Sequence, residues 1–153
     1  MESGIRTVLN YIYPSCKLNK DGYVLIADTL HKIIINILKQ FQINDLFISL
    51  KNIVGIELYK YILIYISQNI GHFNYNIDTY KNRQSATGLA FSIFVVENII
   101  KSHGYENIKY SDYVIIFFTA TMQIICEEIF VSMKSSLQQI DINCKDISID
   151  INC

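Results

Sequence analysis

Basic residues are sparse in this chain and arginine is the sparsest, with Arg6 and Arg83 the only two in 153 residues. Lys and Arg together number 13 against 14 Asp and Glu, giving a formal net charge of -1. Such a chain creates no field of its own that draws DNA or an anionic membrane. Tryptophan is missing, proline occurs once, and the six glycines form no phosphate-cradling loop. The opening stretch, MESGIRTVLNYIY, has neither a basic n-region nor a small-residue cleavage pattern, so an intracellular product is expected. Cys16, Cys126, Cys144 and Cys153 show no CxxC and no paired-ligand spacing, which predicts separate thiols in place of a zinc site or disulfides. His31, His72 and His103 lie on three separate segments and read as surface or capping residues. No nucleophile, base and orienter set emerges, so no enzyme, cofactor or metal is expected.

What is abundant is apolar surface. Hydrophobic residues make up 51% and charged residues 18%, enough to build one ordinary domain or two very small units around a shared core. The organising stretch is residues 110–138, long, apolar on nearly every side and free of Gly and Pro. Strands rarely exceed ~10 residues, so length decides for a helix. Ser111 is placed to cap it, with Asp112 in the first turn at the positive end of the helix dipole. Asp112 and Glu127 bracket an uncharged run shorter than the ~20 residues a membrane span needs, which predicts a core helix and no membrane association.

The remaining segments read in order as helices. Residues 4–13 carry Ile5, Val8, Leu9 and Ile12 at helical spacing until Pro14. Asn19 is placed to cap residues 20–41, whose apolar face is Ile26, Ala27, Leu30, Ile33, Ile34, Ile37 and Phe41. Ser49 is expected to cap a short helix over 50–55, and a further helix over 57–70 is expected to end at Gly71. Residues 72–84 are polar and aperiodic and read as a connector. Residues 91–102 form a short helix ended by Gly104, and the tail after Gln139 reads as an extended piece followed by the first turns of a last helix.

Residues 3–56 and 91–153 thus share one plan of short helix, long helix, short helix, and neither half can bury its apolar face alone. An internal duplication packing against itself follows. That plan, with its local motifs, resembles the histone fold. GLAFSIFVVENIIKSHGY (88–105) resembles the Gly-Leu-x-Phe entry and first helix of histone two-A, CEEIFVSM (126–133) its central helix, and INCKDISIDI (142–151) the beginning of its last helix. VLNYIYPSCKLNKDG (8–22) and SLKNIVGIEL (49–58) resemble histone two-B in the same order.

A two-B half (1–71), a connector (72–84) and a two-A half (85–153) together resemble the histone doublets of large DNA viruses. The resemblance implies an all-α chain of two histone folds packed as an intramolecular handshake dimer. It also implies a three/four-type doublet as partner, a role in nucleosome-like packaging of viral DNA, and residence in the virion and the host-cell interior. Lys17, Lys20, Lys51, Lys101, Lys109 and Lys145 would fall at the DNA-facing edge, binding duplex weakly without a partner. Glu127 and Glu128 are the acidic-patch positions that carry over. Asp141 aligns with the minor-groove arginine of histone two-A. Two further readings stand beside this one: a histone-fold module that pairs with proteins and scarcely touches DNA, and an unrelated all-helical viral protein.

Overall fold

The computed structural model describes residues 1–41, 45–76, 83–105, 112–139 and 151–152. Among them the protein is all-α apart from one short strand pair. The helices are α1 (Glu2–Ile12), α2 (Lys20–Phe41), α3 (Leu46–Val54), α4 (Ile56–Asn76), α5 (Arg83–Thr87), α6 (Ile93–Ile100) and α7 (Asp112–Gln139). A single π turn, Lys101–Tyr105, prolongs α6. Strands β1 (Lys17–Leu18) and β2 (Ile151–Asn152) pair antiparallel, with Lys17 opposite Asn152 and Leu18 opposite Ile151.

The core is built around α7. Ile115, Ile116, Phe117, Phe118, Ala120, Met122 and Cys126 are buried on successive positions, so this helix is enclosed on most sides. By length and hydropathy the segment Asp112–Met133 could cross a membrane, yet most of it is buried inside the protein. α1 and α4 make the most extensive contacts with α7, and α2 and α6 also pack on it. Helix α2 supplies Ile26, Leu30, Ile34, Ile37 and Leu38 to the same core, and α1 supplies Ile5, Val8 and Leu9. Elements from both ends of the chain therefore bury one another's apolar faces.

Helix α2 matches its expected bounds, and the Asn19 side chain accepts from the Gly22 amide at 2.9 Å. Elsewhere the local signals were overridden. The helix expected at 50–55 starts at Leu46, because Asp45 caps it by accepting from the Ile48 amide at 2.9 Å. Ser49 is instead buried within the helix and donates to the Asp45 carbonyl at 2.8 Å. Gly71 does not end α4, which continues to Asn76 and buries Phe73. Gly104 lies inside the π turn, which runs through Tyr105. The last helix is not begun at Ile151, which is strand. The Ser111 cap, the loop holding Asp141, and Lys109 and Lys145 lie outside the described residues.

Cys16 also departs from expectation. It is disulfide-bonded, with its partner outside the described residues, whereas Cys126 is a free, buried thiol.

Candidate functional site

Four of the six lysines singled out from the sequence are described, and all four are exposed. Lys17 lies in β1 and Lys20 opens α2, so these two share one loop-to-helix junction. Lys51 is in the last turn of α3, and Lys101 begins the π turn after α6. None of the four forms an ion pair among the described residues.

The two arginines are committed elsewhere. Arg6 pairs with Glu2 one turn away at 2.9 Å and lies over the Tyr23 ring. Arg83 bridges Glu97 at 3.3 Å and also pairs with Asp112, tying α5 to the middle of α6 and the start of α7. Burial works against the Arg83 charge, but the two carboxylates outweigh it and hold its pKa above the ordinary value.

The entry to α6 is stitched by side-chain amides. Thr87 ends α5, and Gly88 follows in the left-handed region with φ +69, which turns the chain toward Leu89. Gln84 donates to the carbonyls of Leu89 and Phe91, each at 3.0 Å, and accepts from the Ile93 amide at 2.8 Å. Ser92 caps α6. From α7, the Gln123 carbonyl accepts from the Ala90 amide at 2.8 Å while its amide donates to the Tyr65 hydroxyl at 2.8 Å. One side chain thereby joins α7, α4 and the α6 entry.

Beside that junction is a cavity of about 440 Å³, bounded by α1, α4, α7 and residues 88–90, with Tyr11, Tyr61, Tyr65, Gln123 and Glu127 in its lining. Burial pushes the Glu127 carboxyl above its ordinary value, and a hydrogen bond to Gln123 only partly opposes this. Burial likewise raises the Tyr65 phenol, helped by the nearby Glu127, Tyr61 and Tyr11 and opposed by Asn69. Glu128 is turned away to an exposed groove that also contains Glu57 and Tyr61. The two neighbouring glutamates thus face different surroundings, as adjacent positions on a helix require.

No protein-family model matches the chain, and no curated protein matches it in sequence.

Sequence reasoning missed the tyrosine cavity. Tyr61 and Tyr65 are one turn apart on α4, which is a local signal for a shared face, but nothing local brings Tyr11 or Glu127 to them. It also missed the close approach of His31 and His103, whose rings meet edge to face with centroids 5.5 Å apart. Among the described residues, no group of three or more His, Cys, Asp or Glu is arranged to hold a metal ion.

Proposed function

We propose that the chain is a divergent histone doublet of a large DNA virus, in which two histone folds form an intramolecular handshake and act with a three/four-type doublet to package viral DNA. The observation carrying this reading is the β1 and β2 pairing. It joins the loop between the first short and long helices to the segment beyond the last long helix. Two helix-loop-helix units packed head to tail need this kind of contact, because the first loop of one then lies beside the second loop of the other. The packing of α2 on α7 supports the same arrangement. The exposed lysines at the ends of β1, α2, α3 and α6 are cations available to phosphate oxygens.

Nuclease digestion tests the function. The full chain, a three/four-type viral histone doublet and linear duplex are mixed at physiological salt and digested. A discrete protected length that needs both proteins is expected. A digestion pattern unchanged by adding this chain would overturn the reading.

The engagement of both arginines in internal ion pairs favours a second reading, a histone-fold module that binds proteins and leaves DNA alone. A stoichiometric complex with the partner doublet that forms without DNA, and whose affinity for duplex equals that of the partner alone, would select it.

A further inference from the structure

We propose that the cavity between α1, α4 and α7 binds an alkylammonium group, with the Glu127 carboxylate as counter-ion and the Tyr11, Tyr61 and Tyr65 rings around it. The inference does not rest on the histone reading.

Charge sets the class of ligand. Among the described lining residues Glu127 is the sole charged group, with no Lys, Arg or His to neutralise it. The nearest arginine in sequence, Arg6, is held by Glu2. An anionic ligand would meet an unscreened carboxylate in a partly dehydrated site. An uncharged apolar ligand would strip the remaining water from that carboxylate without returning a partner. A cation satisfies it.

The aromatic residues narrow the class to ammonium on an alkyl stem. Ammonium heads are attracted to the faces of aromatic rings, and more strongly where water is displaced. Tyr11 is 83% exposed and Tyr61 54% exposed, so the rim presents two large rings that nothing in the described chain covers. Tyr65 is fixed from below, since its hydroxyl accepts from Gln123, and the Gln123 carbonyl is occupied by the Ala90 amide. The Thr7 hydroxyl is likewise spent on the Ser3 carbonyl. Glu127 therefore remains the one charged acceptor in the lining, with the Tyr11 and Tyr61 hydroxyls as its neutral neighbours. Val8 and Leu89 line the same space and suit a methylene stem. The volume is that of a small-ligand pocket, ample for a butylammonium head.

Two sources supply this chemistry, a lysine side chain of a peptide and a free aliphatic polyamine. The test is an NMR titration of the full chain, labelled on its tyrosine rings, with N-acetyl-lysine methylamide and with spermidine. Saturable shifts of tyrosine resonances are expected, lost when Tyr61→Leu or Tyr65→Leu is present. The norleucine counterpart, which keeps the stem and lacks the charge, should bind about tenfold more weakly. Glu127→Gln should weaken the amine by about tenfold as well, with the circular dichroism spectrum unchanged, because the substitution removes a partly buried charge. Tighter binding of spermidine assigns a free amine, and tighter binding of the lysine amide assigns a protein side chain; either supports the site. Equal affinity for the norleucine compound, unchanged affinity in Glu127→Gln, or no saturable shift with either amine would overturn it.

Discussion

Gly4 allows α1 to lie directly against the entry of the second half, and replacing it by Ala tests that packing. A Cβ built at Gly4 would sit 2.7 Å from Cδ1, 2.8 Å from Cγ and 3.0 Å from Cε1 of Phe91. Carbon atoms pack at about 3.5 to 4.0 Å, so the ring would have to recede by roughly 1 Å. It has nowhere to go, because Phe91 is 1% exposed and both its neighbouring carbonyl network and Ser92 hold the backbone. Two effects then compete. Ala in place of Gly within a helix stabilises by about 0.5 to 1 kcal/mol. Overpacking a filled core costs about 1 to 3 kcal/mol. The clash wins, for a net loss on the order of 1 kcal/mol. Equilibrium urea unfolding followed by circular dichroism measures it. The control is the same substitution in a Phe91→Leu background, where the ring is gone and Gly4→Ala should become neutral or stabilising. A gain in stability from Gly4→Ala in the unaltered chain would show that α1 does not press on Phe91, and the joint between the two ends of the chain would be wrong.

Leu30→Ala and Ile34→Ala each remove a side chain that is buried between α2 and the α7 core, and urea unfolding should show a loss of about 2 to 5 kcal/mol for each. Thiol counting of the unfolded, unreduced chain should find no more than two of the four cysteines reactive, since Cys16 is in a disulfide. In the folded chain Cys126 should resist alkylation at mildly alkaline pH, because burial pushes its pKa up to about 12. Glu127 gives a pH dependence of defined sign. Its folded carboxyl binds protons more tightly than the unfolded one, so between the two pKa values the folded state holds more protons and stability falls as pH rises. Glu127→Gln should abolish that component, and unfolding curves from acid to neutral pH that run parallel for both chains would refute it.

The parts of the fold legible in the sequence are those where local and long-range preferences agree. Lys20–Phe41 has a cap at Asn19, an unbroken 3.6-residue period and no internal Gly beyond its first turn, and the structure has the same bounds. The misread boundaries are places where a core contact outweighs a local stop. Gly71 is a plausible helix end, yet Phe73 has a buried position available two residues on, and extending α4 by one and a half turns fills it. Likewise Ser49 and Asp45 are both competent caps, and burial of Leu46 and Leu50 decides for Asp45. The tyrosine cavity was not legible because its parts are separated by most of the chain. Tyr11, Tyr65 and Glu127 acquire meaning only once α1 and α4 have both packed on α7. The lysines read from the sequence as loop or loop-flanking residues, and Lys17 stands exposed in β1 while Lys20, Lys51 and Lys101 stand exposed at helix ends.

The charge distribution sets a ceiling on what the chain contributes to a DNA complex. Arg6 and Arg83 are each engaged with carboxylates, so freeing either for phosphate means breaking an existing ion pair. Among the described candidates that leaves Lys17, Lys20, Lys51 and Lys101. Each neutralised phosphate contributes a salt slope of about 0.9, so these four contacts give a decline of about 3.6 in the logarithm of affinity per decade of salt, and all six candidate lysines about 5.4. Under the proposed packaging role a basic partner would supply the rest of the neutralisation, because the chain's own net charge of -1 adds nothing at long range. Fluorescence anisotropy with a short duplex, run from low to physiological salt, measures the slope for the isolated chain. Changing Lys17 and Lys20 together to Gln should lower it by about 1.8 if both sit on the DNA path. A slope well above about 5.4 in the unaltered chain would mean that cations beyond the six candidate lysines are recruited, and the ceiling would fail. A slope near zero that the double change leaves untouched would remove the DNA path from this face and make protein pairing the better account of the chain.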